Sequence, residues 1–503
     1  MKKVNFLLSM LLLLAVFITS CKKDDVDPPK AEAKITANAG ADQAATVGQT
    51  ATLDGSASKD DSGKPLNYSW TITKKPNGST ATLSSTTVAK PTFTPDMAGE
   101  FEFELTVTNE NGTAKDKILL TATGSVVSQI IKDDITADIV LTNIIADPTK
   151  PDYIVTEDIS VGAKLTINPG VVIEFETNTG LYIDNNPVGA IIAKGTAAEK
   201  IVFTGKQKIN GFWKGIMVTS PNPLNEMDFV EVSYGGSAAL TGVGIKSNLV
   251  VYGNATPGGS LKITNSSFTN SGGYGLYIED GTALLTGFAN NTVSDNTGIA
   301  MYIEADQVHK LDANSKFNDE NIGFNGVEID GATEPNSDEV TWPAFTDGAK
   351  YLVSNDIELN SGVKIAPGAT FEFAANKALY VDAQGGYLVA KGTAAQKITF
   401  TGKQKNNGFW KGIMIYSASP LNEMDFVEVS YGGSNSLTGV SAKANLVVYH
   451  NGSTPAALKI TNSNITNSAG YGIYALTDIV SINADFETAN VYTANTAGNI
   501  MKK

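Results

Sequence analysis

Two clusters of side chains in this sequence each combine aromatic rings, a lysine and several carboxylates. The first is Phe212-Trp213-Lys214 with Glu226, Asp228, Glu231 and Tyr234; the second is Phe409-Trp410-Lys411 with Glu423, Asp425, Glu428 and Tyr431. An indole or phenol ring beside carboxylates suits carbohydrate, because the ring covers the C–H face of a pyranose while the acids take its hydroxyls. Trp213, Glu231, Tyr234, Trp410, Glu428 and Tyr431 are therefore candidate ligand-binding residues. Strand parity sets Phe229, Glu231 and Ser233 on one face and Val230, Val232 and Tyr234 on the other, so Glu231 points outward if the valines face a core. The same residues also fit a packing account, in which Trp213 plugs a corner and the acids cap turns. Identity between the clusters does not separate the two accounts, since a young duplication would produce it.

Other chemistries are narrowed by what the chain lacks. It contains no arginine, so all 37 basic residues are lysine. Bidentate recognition of polyuronate or sulfated glycan would have to manage with lysine alone. His309 and His450 are the two histidines and do not occupy equivalent positions, which disfavours a His-rich metal site or a Ser-His-Asp triad. Paired carboxylates would suffice for glycoside hydrolysis, and a lysine could act as the base of a polysaccharide lyase. No residue is assigned a catalytic role, and such an enzyme is the alternative to a binding protein. A net charge of −15 argues against nucleic acid as a partner.

The elements that carry these clusters are duplicated. Pro223 to Ser237 recurs unchanged as Pro420 to Ser434, and Gly211 to Met217 as Gly408 to Met414, at an offset of 197. Upstream the offset is 198, where Tyr153, Pro169 and Tyr182 match Tyr351, Pro367 and Tyr380. Within each copy, short apolar β-rich runs bounded by Gly, Asn, Ser or Pro follow one another, and they are read as solenoid coils of about 20–25 residues. Examples are Val171 to Phe175, Ala190 to Ala193, Lys200 to Phe203, Gly215 to Val218 and Phe229 to Val232. A long series of such runs without helical periodicity resembles the right-handed parallel β-helix of the pectate-lyase-like superfamily. The segment Trp-Lys-Gly-Ile-Met, followed by Asp-Phe-Val-Glu-Val-Ser-Tyr-Gly-Gly, is similar to a coil pair of Bacteroidota β-helix lipoproteins. The resemblance implies coils that bury inward residues on one another, with Asn or Thr ladders at the turns. The β-helix hydrolases and lyases carry signatures such as an adjacent Asp-Asp in a Gly-flanked strand end, and neither copy has one. Asp133-Asp134 lies upstream of the clear repeat and is read as linker. The stretch 308–349 has no match in the other copy and is left open between further coils and a protruding loop.

Ahead of the duplication, about Ile35 to Thr123 reads as short strands and turns. Phe101, Phe103, Leu105 and Val107 alternate with polar residues, the mark of a half-buried strand, and Asn111-Gly112 follows as a hairpin-type turn. Leu53 to Ser58, Asp60-Asp61-Ser62-Gly63, Leu66 to Trp70 and Ala98 to Phe101 resemble the PKD family of immunoglobulin-like sandwiches. After Trp70 the chain runs Thr71-Ile72-Thr73 and lacks the family's Gly-Asp-Gly turn. Tyr68 and Trp70, at period two, are expected in the sandwich core. Asp54, Asp60 and Asp61 have oxygens suited to calcium, although Asx turns use the same residues on their own backbone.

At the N-terminus, Lys2-Lys3 precede the apolar run Phe6 to Ile18, too short for a stable membrane span. Ile18-Thr19-Ser20-Cys21 resembles the bacterial lipobox, which implies cleavage before a lipid-modified Cys21, the chain's single cysteine. Lys22-Lys23-Asp24-Asp25 is similar to the export signal of Bacteroidota surface lipoproteins. The expected organisation is a signal peptide over 1–20, a disordered tether over 21–34, a PKD sandwich over 35–124, and β-helix copies over 125–325 and 326–503. The fold class is thus all-β: an Ig-like sandwich followed by a right-handed parallel β-helix of two tandem copies of about 197 residues. The expected protein is a non-catalytic lipoprotein on the outer membrane, facing outward, that binds polysaccharide or a surface protein; a β-helix polysaccharide lyase or glycoside hydrolase is one alternative, and a structural stalk or adhesin for protein partners is another. Two equivalent faces at fixed spacing would add avidity on a repetitive polymer.

Overall fold

The computed structural model describes residues 34–502 apart from 125–126, 146, 241, 243, 254–255, 280, 318–325, 334–336, 383–384, 438, 450–454 and 477–479. Cys21, the tether and His450 lie outside the described residues. The chain divides into two compact units after Gly124. No α-helix occurs among the described residues; one three-residue 3-10 turn spans Val308–Lys310.

The first unit is a β-sandwich. Its main sheet orders the strands Gln43–Thr46, Gly112–Thr123, Gly99–Asn109 and Asn67–Lys74. The alternation read from the sequence holds along Gly99–Asn109, where Phe101, Phe103, Leu105 and Val107 are all fully buried. Phe93 meets Phe101 and Phe103 edge-on, each at 4.9 Å between ring centres. Trp70 is buried, its indole N–H donating to Val88 O at 3.1 Å. Tyr68 packs half-buried against the same core.

The second unit is a parallel β-helix with three faces. In the first copy, face one carries Tyr153–Val155, Val172–Phe175, Ile201–Gly205 and Val230–Ser233; face two carries Gly180–Ile183, Gly215–Val218 and Ser247–Val251; face three carries Lys164–Ile167, Ala190–Lys194 and Glu226–Asp228. Stacking in register makes columns of like side chains, such as Leu181, Ile216, Leu249 and Leu276 on face two. Burial of these columns, coil upon coil, is the main source of stability in such an array. Successive coils are longer and less regular than the sequence spacing indicated. They run from 20 residues between Tyr153 and Ile173 to 36 between Val232 and Phe268. The long coils carry the turns around Trp213 and around Tyr234 to Ser237, which interrupt the period.

The first coil takes in the Asp133-Asp134 pair. Asp134 accepts the Ser160 backbone N–H at 2.8 Å and Ile135 bridges Val161, so Asp133-Asp134 is part of the first coil and not linker. Within 308–349, Gly326–Asp330 pairs with both Met301–Glu304 and Lys350–Val353, and Val340–Trp342 pairs with Gly362–Ile365. The solenoid therefore continues through the described part of this stretch; Asn318-Asp319-Glu320-Asn321 lie outside it.

Polar ladders line the corners. Ser266 Oγ accepts the Val230 N–H at 3.0 Å, Asn291 Oδ1 accepts the Ser266 N–H at 3.0 Å, and Ser315 Oγ accepts the Asn291 N–H at 2.8 Å. Two corner positions adopt left-handed backbone in successive coils: Phe229, Asn265 and Asn290 at one, Tyr234, Asn270 and Asp295 at the other. Asparagine tolerates that conformation, whereas Phe and Tyr there are strained and held by their surroundings.

The two copies do not line up along the axis. One thirteen-stranded sheet runs through both, and it takes face-two strands from the first copy but face-one equivalents from the second. Tyr153 lies on face one, while its equivalent Tyr351 stacks in the column of Leu276, Met301 and Val327. Seven coils separate Gly180–Ile183 from Thr370–Phe373, the equivalent of Val172–Phe175, which precedes Gly180–Ile183 by one face. One copy thus spans seven coils plus one further face, and every surface of the second copy is turned by one face from its counterpart.

Candidate functional site

The residues singled out by chemistry in the sequence are placed as follows. Trp213 is fully buried, stacked on Phe175 at 4.0 Å and 17°, with its indole N–H donating to Ser233 O at 2.7 Å. Trp410 repeats this with Phe373 at 4.1 Å and Ser430 O at 2.7 Å. Neither indole has a face for a ligand, so the tryptophan platform is corrected to a core plug. The local backbone explains it: Gly215, at φ +116°, lets the turn close so tightly that a Cβ there would sit 2.4 Å from Ser247 O. The adjoining Trp213 is directed inward.

Glu231 and Glu428 do point outward, and each pairs with a lysine of the preceding coil, Lys200 at 2.7 Å and Lys397 at 2.9 Å. Tyr234 and Tyr431 lie half-buried against the core, with Lys208 Nζ 5.9 Å from the Tyr234 ring centre. Glu226 is clamped between Lys194 at 2.6 Å and Lys262 at 2.9 Å, and Asp228 accepts from Thr264 Oγ1 at 2.7 Å and Asn265 Nδ2 at 2.8 Å. Glu423 and Asp425 repeat these contacts. These acids tie coil to coil and fix the left-handed asparagine.

The calcium candidates are likewise engaged locally. Asp54 accepts from Ser56 and pairs with Lys90 at 2.6 Å. Asp60 accepts the Ser62 N–H at 2.7 Å and the side-chain amides of Asn109 and Asn111, both at 2.6 Å. Among the described residues no three His, Cys, Asp or Glu side chains come together to hold a metal. The carboxylates of Asp54 and Asp60 thus hold their own turns, as the Asx-turn account expects, while Asp61 offers its backbone N–H to Lys34 O.

A different cluster forms a cleft. In the second copy, Glu358, Tyr380, Met414, Val447 and Tyr474 stand in register on adjacent strands. They project outward because their strand neighbours Leu379, Val381, Ile413 and Ile415 fill the core. Leu437 and Val440 fold over Met414 and Val447 and bury them from outside. Beside this cover lies a cleft of about 320 Å³, lined by Tyr380, Tyr416, Tyr449 and Met414, with Asp356, Glu358, Asp382 and Gly439. The rings of Tyr416 and Tyr449 are 6.0 Å apart at 36°. Lys411 pairs with Asp356 at 2.9 Å. Burial opposes its charged form, yet hydrogen bonds to Asp356 and Tyr380 outweigh this and its pKa is raised. Half-exposed rings and carboxylates around a concave wall match the make-up of a small-ligand site.

The first copy keeps part of this arrangement. Tyr182, Met217 and Tyr252 match Tyr380, Met414 and Tyr449, and Lys214 pairs with Asp158 as Lys411 does with Asp356. Thr219 and Ser160, however, stand where Tyr416 and Glu358 stand in the second copy. Thr219 turns its hydroxyl onto Ile183 O at 3.1 Å. Asp184, the counterpart of Asp382, has its pKa raised by burial. The sequence held one signal for the cleft, the outward parity of Tyr182 and Tyr380 between inward neighbours. The approach of Tyr416 and Tyr449 depends on coil length and could not be read.

Comparison with known proteins places two domains on the chain. Residues 39–122 match a PKD-domain family, and residues 138–252 match the pectate-lyase-like β-helix domain. No curated protein matches. Among solved structures, the chain is similar to a nucleoside hydrolase-related hypothetical protein from Saccharophagus degradans, described as associated with carbohydrate metabolism. That match has 24% identity over 18% of this chain and 25% of the other, with a TM-score of 0.16. The PKD domain of the KIAA 1837 protein is 29% identical over 18% of this chain and 90% of its own, also with a TM-score of 0.16. The chain thus spans a quarter of the first of these proteins.

Proposed function

We propose that this chain, a PKD domain followed by a duplicated pectate-lyase-like β-helix, is a non-catalytic glycan-binding lipoprotein of the bacterial outer surface. The observation that carries the binding function is the cleft of Tyr380, Tyr416 and Tyr449 with its carboxylates. Tyrosine rings and acids in one concavity offer a pyranose both an apolar face and hydroxyl partners. Attachment through Cys21 to the outer membrane, facing outward, rests on the lipobox-like Ile18-Thr19-Ser20-Cys21 and the acidic stretch after it. The PKD domain would then serve as a spacer.

Affinity electrophoresis against a polysaccharide panel tests the binding function. Retardation of the wild type should be lost in Tyr416→Ala/Tyr449→Ala and kept in Trp213→Phe. Release of reducing ends or unsaturated uronates from any of these polymers would replace the binding function with catalysis. Metabolic labelling with a palmitate analogue, absent in Cys21→Ala, tests the anchor.

A further inference from the structure

We infer that the cleft of the second copy selects glycans bearing protonated amines, such as de-N-acetylated hexosamine polymers, over neutral or acidic ones. The inference rests on the glycan-binding reading and names the ligand class within it. Among the described residues, the lining contributes three carboxylates, Asp356, Glu358 and Asp382, and no ammonium. The neighbouring cation Lys411 is committed to Asp356 at 2.9 Å. Polyuronates and sulfated glycans would meet repulsion there. A sugar ammonium would gain Coulomb attraction from the acids and cation–π attraction from the tyrosine faces.

The difference between the copies points the same way. Of the eight lining positions, two differ from the first copy, Ser160 to Glu358 and Thr219 to Tyr416. One change adds a carboxylate and the other adds a ring, which are the two groups that recognise an ammonium. The turns and ladders around the cleft are otherwise shared. Asn445 holds Gly432 at 2.7 Å as Asn248 holds Gly235 at 2.7 Å. The selectivity therefore belongs to the second copy alone.

Isothermal titration with hexamers of glucosamine and of N-acetylglucosamine tests this, using the full chain at about pH 5.5, where amines and surface carboxylates are both charged. The glucosamine hexamer should bind at least tenfold more tightly, at one site, with affinity falling as salt rises. Glu358→Gln/Asp382→Asn should abolish the preference while leaving the thermal transition unchanged. In the converse direction, Ser160→Glu/Thr219→Tyr should raise the stoichiometry toward two. Equal binding of the two hexamers, or a preference that survives the double variant, overturns the amine selectivity. If that equal binding is lost in Tyr416→Ala, the glycan-binding function stands without it. Failure of the wild type to bind either hexamer overturns the selectivity as well, and failure against the whole polysaccharide panel overturns both.

Discussion

Trp213 lies face to face on Phe175, ring centres 4.0 Å apart, and the pair Trp410 and Phe373 repeats the contact at 4.1 Å. Each pair fills the interior at the corner where a long coil turns back, so the rings support the solenoid from within. Trp213→Ala should destabilise the second unit by about 3–5 kcal/mol, the usual result of emptying a large aromatic site in a packed core. Guanidinium unfolding followed by circular dichroism would show the lowered midpoint, with glycan binding retained under native conditions.

Asn248 is fully buried and holds two turns at once. Its Oδ1 accepts the Gly235 N–H at 2.7 Å and its Nδ2 donates to Thr269 O at 2.8 Å. Asn248→Ala strands both backbone groups, each at a loss of about 1–3 kcal/mol. Asn248→Asp should restore the acceptor and recover part of the loss. Hydrogen exchange would show protection falling first in residues 234–247.

Glu231 and Glu428 sit on the surface, each with a single lysine partner across one coil. Exposed pairs of this kind contribute about 0–1 kcal/mol and are screened by salt. Glu231→Gln/Glu428→Gln should leave the unfolding midpoint and the glycan affinity within experimental error of the wild type. A marked loss of affinity would return these residues to the binding site.

In the PKD domain, the Ser62 backbone N–H and the Asn109 amide hold the Asp60 carboxyl far below its usual 3.8, against the effect of burial. A carboxyl depressed by folding gives stability that is complete above its unfolded pKa and is lost as pH falls toward the folded one. The melting temperature of this domain should therefore fall steadily from about pH 4 downward. Asp60→Asn should be less stable than wild type at neutral pH and show a shallower acid limb. A residual slope would remain from Asp54, which Lys90 and Ser56 hold at about 2.

The duplication, the strands and the all-β class were legible because they depend on local pattern: offsets of 197 and 198, alternation along 101–107, and apolar runs such as Gly215 to Val218. The fate of Trp213 was not legible. It sits in a turn between Gly211 and Gly215, both at positive φ, where strand parity says nothing about direction. The tyrosine cleft was hidden for another reason. Tyr380, Tyr416 and Tyr449 become neighbours only through coils of unequal length, and those lengths are set by turns whose extent a single sequence does not declare. Asp54 and Asp60 carried both readings, calcium and Asx turn, until their hydroxyl and amide donors were located.

One copy spans seven coils and one further face, so duplication acted on the solenoid as a screw operation with a fractional phase. Any surface feature inherited by both copies looks out in two directions. The tyrosine cleft of the second copy therefore looks out one face away from the partial arrangement that the first copy keeps. Only a fourth copy in series would bring the first face round again, so further duplication by the same step would spread inherited features around the solenoid and not accumulate them on one side.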